Sequence, residues 1–103
     1  MDKFEIEHNI VKALKNIYDP EIPVNIYDLG LIYEVNADEN GKVSVTMTLT
    51  APNCPMADEL LADVSREVGQ TPGVTDVEVI LTFEPPWTQD KLSEEARLEL
   101  GLM

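Results

Sequence analysis

The chain is poor in the residues that build self-contained reactive centres: 103 residues contain one cysteine, Cys54, and one histidine, His8. A lone cysteine cannot close an internal disulfide, so nothing ties the protein to an oxidising compartment. There is no Cys-x-x-Cys and no His-x-x-x-His spacing, so one chain cannot assemble a tetrahedral zinc site. A thiol enzyme needs a base beside its nucleophile, and His8 falls on or beside the polar face of a helical stretch, which argues against a Cys-His hydrolase. Basic residues are also scarce. Seven Lys and Arg against 20 Asp and Glu leave a net charge of −13, which excludes nucleic acid and anionic membrane surfaces as expected partners. No apolar run is long enough to cross a bilayer, and Met1–Glu5 has neither a basic nor an apolar leader region, so the expected location is the cytoplasm. The five glycines are scattered at turns, with no phosphate-binding loop among them.

What remains reads as one acidic, globular domain over residues 1–103, with 44% hydrophobic and 26% charged residues. Ile6, Ile10, Ala13, Leu14 and Ile17 recur at spacings of three and four, which predicts a helix over 3–17. Pro20 stops it by Asp19. Residues 31–36 and 43–50 alternate apolar and polar side chains around an Asn40-Gly41 turn, the pattern of a hairpin. One face of that hairpin is apolar and the other is a ladder of threonine and serine. An antiparallel sheet covered on one face accommodates the pattern. Met56, Leu60, Val64 and Val68 form a stripe in a second helix over 55–69, with Pro55 suited to its first position. Val77, Val79, Leu81 and Phe83 mark a third strand over 74–83. Ser93 caps a last short helix over 94–100, which Gly101 closes. The predicted class is α+β, in the order α-β-β-α-β-α, with helices on one face of a sheet of three or more strands.

Two stretches carry chemistry. The first is Thr50-Ala51-Pro52-Asn53-Cys54-Pro55-Met56, where the only thiol lies between two prolines at the start of a helix. Backbone N–H groups and the helix dipole there stabilise a thiolate, and Pro52 and Pro55 fix the backbone around it. A small buried apolar side chain is the competing fate of a free cysteine. The second is Asp19-Pro20-Glu21-Ile22-Pro23 and its continuation to Gly30. Its prolines forbid a helix interior or central strand, and Ile22, Val24, Ile26 and Leu29 anchor it as an ordered loop. Asp19, Glu21 and Asp28 bring carboxylates into this loop. Asx-type turns at Asp19 and Asp28, with Gly30 as a bulge or a positive-φ residue, are their structural alternative. Iron–sulfur clusters normally take four cysteines, and one chain supplies one. A cluster could be held only transiently, with further ligands from a second copy, a partner, or Asp19 and Glu21.

These stretches resemble the SufT-like metal–sulfur cluster assembly family, whose relatives include cytosolic iron–sulfur targeting factors and PaaD-like subunits. The matching residues are Asp19–Pro23, Asn25–Tyr33, Thr48–Pro55, Pro85-Pro86-Trp87 and Ser93–Arg97, in order along nearly the whole chain. The resemblance implies a fold like the iron–sulfur assembly domains of the NifU C-terminal type. It also implies a non-enzymatic role in maturing iron–sulfur proteins, with apoproteins and assembly-machinery proteins as partners and no stably bound cofactor. Cys54 matches the family's cysteine and Asp19-Pro20-Glu21 its acidic motif, and the implied fold brings the two together. Cys54, with Asp19 and Glu21, is then a transient ligand set for iron or a cluster. Asp28, Gly30, Thr50, Pro52 and Pro55 are supporting loop residues, with Asp28 and Thr50 expected to hydrogen-bond the two loops together. A homodimer would supply a second thiol. An adaptor that docks targets without metal is the alternative. An oxygenase-complex subunit is a further one, disfavoured because the cysteine-rich C-terminal segment of PaaD-like members is not found here.

Overall fold

A computed structural model describes residues 2–19, 22–50 and 57–101. The first helix, α1 (Lys3–Leu14), starts where Asp2 accepts a hydrogen bond from the Glu5 N–H at 2.9 Å. It buries Ile6, Ile10 and Leu14 on one side. The helix ends three residues before the predicted Ile17. There the chain tightens into i→i+3 bonds from Asn16 N to Ala13 O and from Ile17 N to Leu14 O. Ile17 remains buried and accepts a bond from Ile26 N, so the periodicity reported burial correctly but not helix length.

Strands β1 (Ile32–Ala37) and β2 (Lys42–Met47) form the antiparallel hairpin. Its turn is held by Asp38, whose Oδ1 accepts from Asn40 N and Lys42 N at 2.8 and 3.0 Å. Gly41 takes the positive φ of 86° that closes this four-residue loop. Helix α2 (Ala57–Gly69) follows, buried along Leu60, Val64 and Val68. Residues 55 and 56, the predicted start of this helix, lie outside the described residues. Strand β3 (Asp76–Leu81) then pairs with β2 in the parallel sense, in the order β1-β2-β3.

The sheet is therefore mixed: the hairpin is antiparallel, as expected, and β3, whose sense the side-chain alternation leaves open, adds in parallel. Alternation reports which face a residue takes, not the direction of its strand. Direction comes from the connection: a 13-residue helix spans about 20 Å, as does a six-residue strand, so α2 carries the chain back to the starting end of β2. A strand–helix–strand unit gives parallel neighbours.

Val43, Val45 and Met47 of β2 point into the core with the apolar stripes of α1 and α2. Ser44 and Thr46 alternate onto the opposite face, half-exposed. A 3₁₀ turn at Gln89–Lys91, which no pattern announced, precedes the short helix α3 (Glu94–Glu99). Ser93 caps α3 as expected, accepting from Ala96 N at 3.1 Å. No helix among the described residues is long and apolar enough to cross a membrane.

Candidate functional site

The parallel β2–β3 pairing decides where the chemistry-bearing segments lie. The last aligned row of the sheet is Ile32, Met47 and Leu81. The loop containing Asp28 and Gly30 enters β1 at this end. The chain from Thr48 to Thr50 leaves β2 there, and the segment leading to Pro85-Pro86-Trp87 leaves β3 there. Three motifs far apart in sequence thus meet at one end of one sheet.

The acidic loop is built in two parts. Asp19 is buried, at 7% exposure, and its Oδ2 accepts from Ile22 N at 2.9 Å. Asp19 N donates to Val24 O, and Tyr18 pairs with Asn25 in an isolated antiparallel bridge, so the loop closes on its own stem. The second part, Asn25–Gly30, is a single helical turn capped at both ends. At its start Asn25 Oδ1 accepts from Asp28 N at 2.9 Å, while Asn25 Nδ2 donates to Asp28 Oδ2 at 2.8 Å. The pairing is reciprocal as in a helix capping box, with the Asn25 side-chain amide donating where the backbone N–H does in that motif. At its finish Leu31 N reaches Ile26 O and Gly30 N reaches Tyr27 O, with Gly30 at φ 86°. That pair of bonds is the Schellman arrangement.

A helical turn leaves its last carbonyls without internal partners. Here the C-terminal segment supplies them. Ser93 N donates to Asp28 O at 2.8 Å, and the indole Nε1 of Trp87 donates to Leu29 O at 2.7 Å. The Tyr33 hydroxyl donates to Pro85 O at 2.7 Å, and the Lys91 ammonium lies 4.9 Å from the Tyr33 ring centroid. The Pro-Pro-Trp segment is thus a strap that holds the turn carrying Asp28 against the sheet. Leu31 O in turn accepts from Thr48 N at 2.9 Å, linking that turn to the chain that runs toward Cys54.

Asp28, Gly30 and Thr50 flank this end of the sheet; Asp19 lies in the first part of the loop, joined to the second through the Tyr18–Asn25 bridge and the bond from Asp19 N to Val24 O. Asp28 is engaged with Asn25 and, through its carbonyl, with Ser93; no hydrogen bond joins it to Thr50 among the described residues. Thr50 is half-buried. Cys54, Glu21, Pro52 and Pro55 lie outside the described residues. Among the described residues no group of three or more His, Cys, Asp and Glu side chains could hold a metal ion. The bracing residues Asn25, Tyr33, Trp87 and Ser93 were not among the sequence-derived site residues. The local signals for them are a tryptophan behind two prolines, a serine at a helix start, and an asparagine three residues before Asp28.

Thr48 is fully buried, and its Oγ1 has no hydrogen-bond partner among the described residues. A buried hydroxyl in that state costs on the order of 1–3 kcal/mol, and an apolar group of the same shape removes the cost. Thr48→Val should therefore leave the unfolding free energy unchanged or raise it by about 1 kcal/mol. Urea denaturation that gives a loss instead would show that the hydroxyl is partnered in solution.

The comparisons with known proteins agree with this architecture. The profile of a family described as "Iron-sulfur cluster assembly protein" matches residues 7–79. A Porphyromonas gingivalis protein named "Fe-S protein maturation auxiliary factor" is 57% identical over 99 residues, covering 96% of this chain and 94% of that one. The Staphylococcus aureus "Fe-S protein maturation auxiliary factor SufT" is 40% identical over 86 residues, covering 84% and 98%. A crystal structure from Bacillus anthracis, described as a domain of unknown function (DUF59), superposes with a TM-score of 0.90 at 36% identity, covering 98% of this chain and 96% of that one. Matched by the family profile over residues 7–79 and by these relatives over most of its length, this chain belongs to the iron–sulfur cluster assembly protein family.

Proposed function

We propose that the protein is an iron–sulfur maturation factor that helps deliver or insert clusters into target apoproteins. The supporting observation is the meeting of the acidic loop, the chain leading to Cys54 and the Pro-Pro-Trp strap at one end of the sheet, in a member of this family. The cluster, or its iron, is cargo. Cys54 is its thiolate ligand, and Asp19 and Glu21 add oxygen donors or steer the partner that takes the cargo. Pro52 and Pro55 limit the motion of the thiol. Asn25, Asp28, Gly30 and Trp87 keep the acidic loop in place, and Thr50 begins the thiol-bearing chain.

One thiolate is too few for a stable cluster, since four cysteines are the usual complement. The remaining ligands come from the assembly machinery, from the apoprotein or from a second copy. Weak, shared ligation suits a factor that must give its cargo away. Transfer is then ligand exchange: an acceptor thiolate binds iron as the Cys54 thiolate leaves it, one iron–sulfur bond forming for each one broken, with no change of oxidation state.

Anaerobic reconstitution with ferrous iron and sulfide should give visible charge-transfer absorption in the wild type and lose it in Cys54→Ser. Native mass spectrometry of the coloured species then counts chains and irons together. Transfer of the cluster to an apo-ferredoxin should fall in the same variant. Identical spectra and identical transfer for wild type and Cys54→Ser would reject the ligand role. If neither protein takes up iron, yet an apoprotein binds and Asp19→Ala with Glu21→Ala abolishes that binding, the metal-free adaptor is the correct account.

A further inference from the structure

The two faces of the sheet are unequal. One is filled by α1 and α2. On the other, Glu34 and Asn36 of β1, Ser44 and Thr46 of β2, and Asp76, Glu78 and Ile80 of β3 stand toward solvent. Parallel strand pairs are usually covered on both faces, so a parallel β2–β3 pair with one bare face is unusual. Ile80, Leu81 and Phe83 are exposed large apolar residues in and just after β3.

The outer edge of β3 is also open. Asp76 N donates to Gly41 O and Thr82 N to Met47 O, so the even-numbered residues of β3 face β2. Alternation turns the N–H and C=O groups of Val77, Val79 and Leu81 outward. Val77 N is taken by the Asp76 carboxylate at 3.0 Å. The outward groups of Val79 and Leu81 have no protein partner among the described residues. An unpaired edge of this kind is a template for another strand.

Charge decides what that strand should be. Asp76 and Glu78 stand on the bare face beside the edge. Together with Asn36, Asp38, Lys42 and Ser44 they line a shallow groove of about 390 Å³ across the three strands. A second copy would bring another −13 and the same carboxylates to this edge, which long-range repulsion opposes. Opposite charges across neighbouring strands are stabilising and like charges are not.

We propose that the free edge of β3 docks an extended basic segment of a partner protein as a fourth strand. The segment alternates Lys or Arg with apolar residues. Its backbone pairs with Val79 and Leu81, and its cationic side chains lie over Asp76 and Glu78 on the bare face. Its apolar side chains extend the row of Val77, Val79 and Leu81 beside α2. The residues that make this site, Asp76, Glu78, Val79 and Leu81, are none of those assigned to the cluster chemistry, so the two stand or fall separately.

The test uses the full chain and the peptide acetyl-Arg-Val-Lys-Val-Arg-Val-amide, followed by amide NMR and hydrogen exchange. Saturation should protect the Val79 and Leu81 amides, with shifts concentrated in β3. Glu78→Lys should weaken binding about tenfold or more, and Glu78→Gln by less, both at an exposed position where the fold is retained. The same peptide with alternate N-methylated residues keeps its charge but cannot complete the ladder, and should also bind about tenfold more weakly. Equal binding of the methylated peptide, without protection at Val79 and Leu81, would reduce the effect to diffuse attraction and overturn the proposal. So would a concentration-dependent dimer that protects β3 with no peptide present, because a second copy would then occupy the edge.

Discussion

Gly30→Ala should lower the unfolding free energy by about 3 kcal/mol or more, from two additive causes. The first is conformational. Gly30 sits at φ 86°, where an L-residue meets a penalty of roughly 1–2 kcal/mol. The second is contact. A Cβ at this position would overlap Lys91 O and lie 2.7 Å from Lys91 Cβ. The nearest obstacle is backbone, so no rotamer change relieves it. The strap from Trp87 to Ser93 has to withdraw, and with it go the bonds from Ser93 N to Asp28 O and from Trp87 Nε1 to Leu29 O. Each is worth about 0.5–1.5 kcal/mol net. Gly101 provides the control. It also has a positive φ, 71°, but a Cβ there meets nothing within 4 Å. Gly101→Ala should therefore show the conformational penalty alone, about 1–2 kcal/mol at most. Urea denaturation of the two variants isolates the contact contribution as their difference. Equal losses would mean that the strap does not press on the turn in solution.

What could be read from residues alone, and what could not, divides by range of interaction. The hairpin was legible because its signals are local: period-two alternation on both sides of Asn40-Gly41, with Asp38 next to the turn it closes. The apolar stripes of α1 and α2 were legible for the same reason. The direction of β3 was not, because Val77, Val79 and Leu81 alternate identically in either sense; only the helical connection distinguishes the two. In the acidic loop the positive φ at Gly30 and the turn bond from Asp19 follow from residue type. The reciprocal pairing of Asn25 with Asp28 is within reach of the sequence, since both lie in one six-residue motif. The partners of the Asp28 and Leu29 carbonyls were out of reach. They arrive from Ser93 and Trp87, about sixty residues away, and no local pattern predicts which carbonyl an indole will find. Thr48 behaves similarly: the threonine ladder placed it on the open face of a strand, whereas the strand ends at Met47 and Thr48 is buried under the loop that joins Leu31.

Trp87 tests whether the strap matters to the site or only to the fold, and two substitutions separate these roles. Trp87→Phe keeps an aromatic ring on the core but removes the N–H. Leu29 O then loses its partner at the end of the Asn25–Gly30 turn, next to a fully buried side chain. The expected loss is about 1–3 kcal/mol, the cost of an orphaned polar group in a poorly hydrated position. Trp87→Ala adds the lost packing and a cavity. Large aromatic truncations cost about 3–5 kcal/mol, and a half-buried ring belongs at the lower end. Both variants should speed exchange of the Gly30, Leu31 and Thr48 amides more than those of Val45 or Ile10. The first three are bonded through the strapped turn, whereas the others sit in the central strand and in α1. If the turn positions the acidic loop against the thiol-bearing chain, Trp87→Phe should also slow cluster transfer to an apo-ferredoxin. It should do so at temperatures where the variant is still fully folded, and with Cys54 unchanged. Unaltered exchange at Leu31 together with unaltered transfer would confine Trp87 to core packing, and the ordering of the acidic loop would then rest on its other bonds, those of Asp19, Asn25 and Ser93 among them.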